Sequence, residues 1–547
     1  MDPISELRSE VEQASDALRG DADGDGAAPA LERPPKPEFG DYSTNAAMLL
    51  APAVGAKPRD VAARLAEQIG ERLGENLERI EVAGPGFLNL FLSDAWYRDA
   101  IGRALADQGG APPAGLAGKG VAERILVEFV SANPTGPLTA AGGRHAAYGD
   151  SLARILTAAG NEVEREYYIN DMGGQIERFA ASIAARMAGT DLPEDGYEGD
   201  YVADLGTKLA AEGLDPGDLP GLERHGPEAM VEQIRETLHR FGVEFDTWFS
   251  ERSLHDDERF GTTLAALRES GHVYESEGAL WLRTTEFGDD KDRVLVRSGG
   301  EPTYYLTDLA YHRDKLARGF ERLIDVLGAD HHGYTERLKA GLQTLGYEPE
   351  RLEFSIMQLV HVVEGGERSQ MSKRQGAFVT LDELIDDIGA DAARFFMLQR
   401  SHDTTVDLDL DLARKQSNDN PVYYVQYAHA RIASILRKAG EGAEERAGSF
   451  DPVSRSQPLE PAERQLLKRL LELPGETSEA AEKRAPHRLA TYATAVAADF
   501  HAFYRDCQVV GAEGEGVEDS RLAIILLTKR TIARTLGLLG ISAPESM

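Results

Sequence analysis

The chain has 547 residues, 42% of them hydrophobic, so it is long enough for several domains with sizeable cores. Its single cysteine, Cys507, excludes a disulfide framework and a thiolate zinc site, and no apolar run reaches the roughly 20 residues of a membrane-spanning helix. The net charge of −34, from 59 Lys and Arg against 93 Asp and Glu, is spread along the chain, which favours adaptation to concentrated salt over a merely acidic surface and does not exclude a nucleic-acid partner.

The first part of the chain predicts a small α/β unit. Residues 1–19 have amphipathic helical spacing and are acidic, unlike a signal peptide, so we expect a cytoplasmic protein. Residues 58–74 also follow the helical period, and residues 80–92 predict two strands around a Gly-Pro-Gly turn. The Gly/Pro-rich stretch 108–120 is a linker and marks the first domain boundary.

The middle of the chain predicts a parallel sheet. A buried-type strand at 124–130, a helix and a strand at 162–171 form one βαβ unit, and strands at 323–329 and 354–363 flank the helix of a second unit. Residues 186–260 are acidic and mostly helical, and they resemble an insertion. From about residue 405 onward, long helical periods dominate.

The loop after the first strand of this sheet reads SANPTGPLTAAGGRHAAYGD, residues 131–150. A turn of small residues between a strand and a helix N-terminus is suited to bind an anion. The turn itself has no basic side chain before Arg144 and His145. The pattern therefore predicts a phosphate-type ligand held largely by groups from elsewhere.

A second candidate for phosphate binding is GGERSQMSKRQGAFVT, residues 365–380, where Arg368, Lys373 and Arg374 surround Ser372 and Gly376. A basic loop of this kind could close over a triphosphate and neutralise charge on the leaving phosphate. A short basic run is more often a solvated loop. Its position after the last strand of the sheet favours the functional interpretation.

Two further stretches lie where strands or helices could present polar groups. In GADHHGY, residues 328–334, His331 and His332 lack metal-ligand spacing, so we predict no metal site, and either a nucleotide contact or a structural role. In YYLTDLAYH, residues 304–312, Tyr304 and Asp308 share one helix face. An acidic residue beside an aromatic ring suits a cationic side chain, although helix packing with a cap explains the spacing equally well.

The stretch SNDNPVYYVQYAHARIASILRKAG, residues 417–440, repeats aromatic and basic residues along a predicted helix. Such a pattern is by default the core of a helical bundle. It could equally present Tyr, His and Arg for base stacking and phosphate contact.

Together these stretches are very similar to arginyl-tRNA synthetase, a class I aminoacyl-tRNA synthetase, over nearly the whole chain. Its N-terminal domain is resembled by FGDYSTNAAM and EVAGPGFLNLFL. Its catalytic core is resembled by VEFVSANPTGPL, YYINDMGGQI, YYLTDLAYH, GADHHGY and QMSKRQG. The start of its anticodon-binding domain is resembled by NPVYYVQYAHARI. The resemblance implies a multidomain α/β fold: a small α/β N-terminal domain that binds the tRNA body (1–115), a Rossmann-like catalytic core (116–400) and an all-α anticodon-binding domain (401–547).

The resemblance also implies the reaction. The arginine carboxylate attacks the α-phosphate of ATP to give arginyl-adenylate and pyrophosphate, and the terminal ribose of tRNA-Arg then takes the arginyl group. The family typically needs bound tRNA before activation. Mg²⁺ is expected from ATP chemistry, the protein is expected to be a monomer without membrane association, and the charge predicts a halophilic archaeon as its source.

Site residues carry over by position. The resemblance implies that arginine is bound by Glu128, Asn133, Tyr304, Asp308 and Gln358. For ATP the matching positions are Pro137, Thr139, Gly142, Arg144, His145, Gly328, Asp330, His331, Met371 and Lys373, with Ser372, Lys373 and Arg374 as the catalytic loop residues. For tRNA they are Phe39, Asp41, Tyr42, Asn45, Asn89, Tyr423, Tyr427 and Arg431.

The chain departs from the family pattern at two motifs. Where the family has Pro-Leu-His-x-Gly-His, this chain has Thr139 and Gly142 in place of the two histidines, and Gln370 replaces the first lysine of the Lys-Met-Ser-Lys-Ser loop. Two alternatives follow: a synthetase-like protein that binds tRNA or arginine without catalysis, and a class I synthetase for another amino acid. The acidic pair Glu128 and Asp308 argues for a cationic substrate.

Overall fold

The computed structural model describes residues 2–20, 29–106, 122–256, 259–331, 333–368 and 379–547. The N-terminal domain is a four-stranded antiparallel sheet in the order β1-β2-β4-β3 covered by helices; the sequence predicted the hairpin of β3 and β4 but not β1 and β2. Its strands are β1 (Leu31–Glu32), β2 (Tyr42–Thr44), β3 (Leu77–Ala83) and β4 (Phe87–Leu92), and its helices are α1 (Pro3–Arg19), α2 (Ala46–Val54), α3 (Pro58–Leu73) and α4 (Asp94–Ala106).

The central part of the chain is built on a five-stranded parallel sheet in the order β12-β11-β5-β6-β7, which confirms the predicted Rossmann-like class. These strands are β5 (Arg124–Glu128), β6 (Glu162–Ile169), β7 (Thr247–Ser250), β11 (Arg322–Gly328) and β12 (Leu352–Met357). Two small three-stranded sheets contain β8 (Val273–Ser276), β9 (Ala279–Leu282), β10 (Arg293–Val296), β13 (Val360–Glu364), β14 (Glu367–Arg368) and β15 (Val406–Asp409).

Ten helices of the described core surround these sheets. They are α5 (Ala140–Ala158), α6 (Gly174–Ala188), α7 (Asp200–Ala211), α8 (Leu219–Arg240), α9 (Arg252–Asp256), α10 (Arg259–Glu269), α11 (Tyr304–Ala317), α12 (Thr335–Thr344), α13 (Leu381–Leu398) and α14 (Leu410–Ala413). Helix α5 packs closely on the sheet because Gly149 leaves room for Phe129: a Cβ atom at Gly149 would lie 2.1 Å from the Phe129 ring. Glycine is therefore required at this crossing.

Two boundaries differ from the sequence-based expectation. The predicted insertion 186–260 includes β7, which pairs in parallel with β6 and is part of the main sheet. The predicted strand 354–363 is two strands. The strand conformation is interrupted at Gln358 and Leu359, and β13 pairs with β15 in another sheet. Strand β7 and the stretch 354–363 are short, and sequence periodicity does not reveal the pairing partner of such short strands.

The C-terminal domain is all-α, as predicted. Its helices are α15 (Pro421–Lys438), α16 (Ala443–Gly448), α17 (Pro461–Leu471), α18 (Leu473–Glu482), α19 (His487–Asp506) and α20 (Val517–Leu538). Ion pairs tie it to the N-terminal domain: Arg464 contacts Asp94 at 2.7 Å, and Lys468 contacts Asp41. In the described residues, no helix is both long enough and apolar enough to cross a membrane.

Candidate active site

A cavity of about 640 Å³ opens at the carboxyl ends of β5 and β11. The strand order of the main sheet reverses between these two strands, and open α/β sheets bind ligands at such a point. Seven of the predicted site residues line the cavity: Glu128, Asn133, His145, Asp308, Gly328, Asp330 and His331. Residues far apart in the chain are thus brought to one place by the parallel sheet.

The turn that follows β5 has a strained backbone. Val130 and Ser131 have positive φ angles of 67° and 39°. Non-glycine residues in this region cost of order 1–3 kcal/mol each and persist where the surrounding structure holds them. Here the turn places the Ser131 hydroxyl so that it donates to Glu128 Oε1 at 2.8 Å, and Ser131 Oγ in turn accepts the Tyr168 N–H at 3.1 Å. The strain therefore orients the Glu128 carboxylate in the cavity wall.

A buried charge network lies behind that wall. Lys315 Nζ donates to Glu128 Oε2 at 2.5 Å and to Asp325 Oδ1 at 3.0 Å. His312 Nε2 lies 2.7 Å from Asp325 Oδ2, and its Nδ1 lies 2.7 Å from the Asp308 carbonyl oxygen. Sequence reasoning missed Lys315 and Asp325. The one available signal was the spacing Asp308, His312, Lys315, which follows a helix face.

Among the residues that the structure describes, Asp308 has no basic partner in hydrogen-bonding contact with its carboxylate. Its carboxylate accepts a hydrogen bond from the Tyr334 hydroxyl. Burial raises the pKa of Asp308 to about 7; His312 opposes the rise, and Glu251 adds to it. A carboxylate in this environment gains from a cationic ligand, because that ligand would remove the cost of ionisation.

Glu251 is a second acidic group that sequence reasoning missed. It follows β7 directly, is 5% exposed, and lies beside Tyr168 and Asp171. Burial raises the pKa of Glu251 to about 7, while the hydrogen bond with Tyr168 opposes the rise. Paired carboxylates with raised pKa values are typical of functional sites.

The other two predicted arginine-binding residues lie away from the cavity wall. Tyr304 begins α11 and is 68% exposed. Its hydroxyl lies beside Gly173: a Cβ atom built on that glycine would be 3.4 Å from the hydroxyl oxygen. Gln358 follows β12, and its backbone N–H donates to the His402 carbonyl oxygen at 2.8 Å. The structure brings Glu128, Asn133 and Asp308 together but does not place these two side chains with them.

Arg144 has a structural position instead of the predicted ATP contact. Its side chain is buried, with 1% of the residue exposed. Nη1 donates to the Gln358 carbonyl at 2.8 Å, and Nη2 donates to the carbonyls of Ser401 and Thr404, both at 2.8 Å. Burial lowers the pKa of Arg144 to about 10, which leaves it charged at neutral pH. Its terminal nitrogens therefore hold loops together rather than face a phosphate.

The remaining predicted ATP residues fall into two groups. His145 faces the cavity, and burial lowers its pKa to about 4, so its imidazole is neutral. Thr139 caps α5, its hydroxyl accepting the Gly142 N–H at 3.4 Å, and Pro137 lies in the half-buried turn before it. Met371, Ser372, Lys373 and Arg374, as well as Gln370 and His332, lie outside the described residues.

Three predicted tRNA-binding residues of the N-terminal domain are buried there. Asp41 (4% exposed) contacts Lys468 and accepts the Leu92 N–H at 2.6 Å. Tyr42 and Asn89 are 3% and 5% exposed, so their side chains support the sheet instead of presenting a binding surface. Asn45 is half-buried and accepts the Ala30 N–H at 2.9 Å, whereas Phe39 is 41% exposed.

The predicted tRNA residues of the C-terminal domain form one aromatic face. The rings of Tyr423 and Tyr427 stack along α15 at 5.9 Å with an angle of 10°. The Arg431 guanidinium lies 4.6 Å from the Tyr427 ring and 5.0 Å from the ring of Tyr504, which is 42% exposed. His501 adds another ring 6.3 Å from Tyr427. Aromatic rings with an arginine are suited to stack unpaired bases.

Comparison with known proteins gives matches along most of the chain. Family models described as arginyl tRNA synthetase N terminal domain, tRNA synthetases class I (R) catalytic domain and DALR anticodon binding domain match residues 5–92, 226–432 and 425–547. The chain is 46% identical to an arginine–tRNA ligase of Desulfitobacterium hafniense over 94% of this chain and 93% of that one.

Solved structures agree with these matches. A putative arginyl-tRNA synthetase of Campylobacter jejuni superposes with a TM-score of 0.76 at 33% identity, over 83% of this chain and all of that one. The arginyl-tRNA synthetase of Thermus thermophilus superposes with a TM-score of 0.74 at 26% identity, over 99% of this chain and all of that one.

Proposed function

The chain belongs to the arginyl-tRNA synthetase family, and we infer from this that it is an arginine–tRNA ligase. The observation that carries the inference is the 46% identity to such a ligase over nearly the full length of both chains. The absence of the two signature histidines raised the alternative of a binding protein without catalysis, and nothing in the comparisons supports that alternative. The acidic cavity is consistent with a cationic amino acid rather than with an apolar one.

We propose that arginine lies in the cavity with its guanidinium at Asp308. Within the described part of the chain, the Asp308 carboxylate has no basic partner in hydrogen-bonding contact, whereas Glu128 is already held by Lys315 and Ser131. Guanidinium groups favour planar, paired contacts with carboxylates. Glu251, across Tyr168, would supply additional negative charge. From the family resemblance alone, we also propose that arginine contacts Asn133, which lines the cavity, and Tyr304 and Gln358, which do not.

The adenylation step then requires ATP beside the arginine carboxylate. A carboxylate oxygen attacks the α-phosphorus, and the bond from that phosphorus to the bridging oxygen of pyrophosphate breaks. We propose that Gly328, Asp330 and His331 hold the nucleoside part at the end of β11, and that His145 adds a neutral imidazole near the phosphates. Ser372, Lys373 and Arg374 are proposed, from the family resemblance alone, to neutralise the departing pyrophosphate.

Mg²⁺ is expected to accompany ATP. Within the described ranges, no group of three or more His, Cys, Asp or Glu side chains is placed to hold a metal ion. A magnesium ion would therefore be held mainly by phosphate oxygens and water, which is common for this ion. In the second step, a terminal ribose hydroxyl of tRNA attacks the arginyl carbonyl carbon, and AMP leaves.

We propose the domain limits 1–115, 116–400 and 401–547 for tRNA-body binding, catalysis and anticodon binding. The aromatic face of Tyr423, Tyr427 and Arg431 supports the last assignment, and the exposed ring of Phe39 supports the first. We further propose a cytoplasmic monomer adapted to high salt. The ligase of Desulfitobacterium hafniense and the two similar solved structures are bacterial, so they do not support an archaeal source.

The test is aminoacylation of total tRNA with each of the twenty amino acids, at low and at molar salt. We expect charging with arginine alone, and arginine-dependent pyrophosphate exchange only when tRNA is present. Charging with another amino acid would overturn the substrate assignment. Binding of tRNA and arginine without adenylate formation at any salt concentration would favour the non-catalytic alternative.

A further inference from the structure

The side chain of Lys315 is fully buried, with 0% of its surface exposed, although it carries an ammonium group. An unpaired ammonium at such a position would be strongly destabilising. Its partners are two carboxylates, Glu128 Oε2 at 2.5 Å and Asp325 Oδ1 at 3.0 Å, together with the Tyr311 ring at 4.2 Å. Lys315 therefore lies behind the cavity wall, where it can touch ligand only through Glu128.

The sheet register explains why a cation is needed there. Glu128 and Asp325 are direct partners in the parallel pairing of β5 and β11, so their side chains project as neighbours from the same face of the sheet. Glu166 on β6, the register partner of Glu128, adds a third carboxylate nearby, which Arg318 contacts at 2.7 Å. Two adjacent carboxylates without a cation would not both stay ionised. Lys315 supplies that cation for Glu128 and Asp325.

The contacts also define the direction of the Glu128 carboxylate. Oε2 is held by Lys315 and Oε1 by the Ser131 hydroxyl, at 2.5 and 2.8 Å. With both oxygens engaged and 8% of the residue exposed, Glu128 offers the cavity an oriented acceptor with a neutralised charge. Asp308 has no such cation among the described residues, so a cationic ligand would be the partner that stabilises its ionised form.

We propose that Lys315 is a positioning residue for arginine recognition: it orients Glu128 and neutralises its charge, so that Asp308 remains the carboxylate that pairs with the substrate cation. This inference rests on the proposed function, because it assigns a division of roles within the same cavity.

The experiment compares Lys315→Met, Glu128→Gln and the double variant in the full-length enzyme saturated with tRNA. Loss of the cation should raise the arginine KM at least tenfold in Lys315→Met, while the ATP KM changes less than twofold. Because Lys315 acts through Glu128, the double variant should have the arginine KM of Glu128→Gln within about twofold. Lys208→Met, at an exposed lysine of α7, is the matched control.

An unchanged arginine KM in Lys315→Met, or fold-changes that multiply in the double variant, would overturn the proposal. If Lys315→Met does not fold, Lys315→Met/Asp325→Asn removes one charge of each sign and leaves Glu128 without its cation. The same tenfold rise in arginine KM is then expected, and an unchanged KM again overturns it. Failure of the wild-type enzyme to charge tRNA with arginine would instead refute the proposed function.

Discussion

Thr139 and Thr380 pair through an isolated antiparallel β-bridge, although 240 residues separate them in sequence. Each caps a helix: Thr139 accepts the Gly142 N–H of α5 at 3.4 Å, and Thr380 accepts the Glu383 N–H of α13 at 3.0 Å. The N-termini of two helices therefore lie side by side. Their dipoles favour an anion there.

This arrangement bears on Lys373, which follows the family motif but lies outside the described residues. With Thr139 and Gly142 in the histidine positions, the lysine should carry more of the phosphate charge. We expect Lys373→Ala to slow single-turnover formation of arginyl-adenylate by about 10²–10³ while tRNA affinity stays nearly unchanged. Adding Thr139→His to this variant should raise the rate of adenylate formation about tenfold. Thr207→His in the same background is the control, and a near-normal rate in Lys373→Ala would refute the shared role.

The Asp308→Asn variant should separate substrate binding from stability. Removing the carboxylate should raise the arginine KM about 100-fold, corresponding to about 3 kcal/mol, because the buried guanidinium loses its charged partner. Steady-state charging at saturating ATP and tRNA measures this. Asp204→Asn, at an exposed position of α7, is the control. An unchanged arginine KM would remove Asp308 from the substrate site.

The same variant should be more stable than the wild type at high pH. The pKa of Asp308 is about 7 in the folded protein because of burial, against about 3.9 in an unfolded chain. Ionisation of Asp308 therefore lowers the free energy of unfolding progressively as the pH rises from about 4 to 7, and the loss is complete above about pH 7. Denaturant unfolding should give Asp308→Asn a gain of ~2 kcal/mol at pH 8 and almost none at pH 4. An equal gain at both pH values would contradict the raised pKa.

Lys468→Met should destabilise the contact between the terminal domains. The side chains of Lys468 and Asp41 are 14% and 5% exposed, so removing the lysine leaves a buried carboxylate without its cation. We expect a loss of about 3–5 kcal/mol in the free energy of unfolding, largely recovered in Asp41→Asn/Lys468→Met. Lys483→Met, in an exposed pair, should cost less than about 1 kcal/mol. If Lys468→Met is as stable as the wild type and Asp41→Asn binds tRNA more weakly, Asp41 binds tRNA and does not serve mainly as a structural partner of Lys468.

The Tyr427→Ala variant tests the aromatic face of the C-terminal domain. Loss of one stacking ring typically costs about 1–3 kcal/mol per base, so the tRNA Kd at fixed salt should rise about tenfold or more. The arginine KM at saturating tRNA should not change, because the face lies in another domain. Val453→Ala, at a position 85% exposed in the same domain, is the control. A wild-type Kd would identify the face as bundle packing.

The net charge of −34 predicts dependence on salt. Repulsion among the carboxylates, and between them and tRNA, weakens as the Debye length falls from about 8 Å at 0.15 M to about 3 Å at 1 M. Charging and thermal stability should both increase with potassium chloride well above that lower concentration. If activity is highest below about 0.15 M salt, the proposed salt adaptation is wrong.

The sequence was sufficient to predict the parallel sheet and some of the residues that line the cavity at its carboxyl edge. Helix and strand periods identified β5, α5 and β6 because a 3.6-residue and a 2-residue repeat differ over these lengths. Glu128 and Asp308 were found because their motifs resemble those of a family. Lys315 and Asp325 were not found, because the partners of this buried ion network lie 10 to 187 residues apart in the chain. Glu251 was not found either, because its contact with Tyr168 joins the ends of two strands that only the sheet brings together.

The sequence by itself therefore determined the fold class, the family and the need for a cationic substrate, since these depend on local periods and ordered motifs. Only the tertiary structure decided which charges remain available to a ligand. It buries Arg144, Asp41 and Asn89 as supports, although their motifs predicted ligand contacts. It pairs Glu128 with Lys315, whereas none of the described basic side chains pairs with the Asp308 carboxylate. The reason is that burial and ion pairing depend on distances between strands and helices, which the order of residues along the chain does not specify.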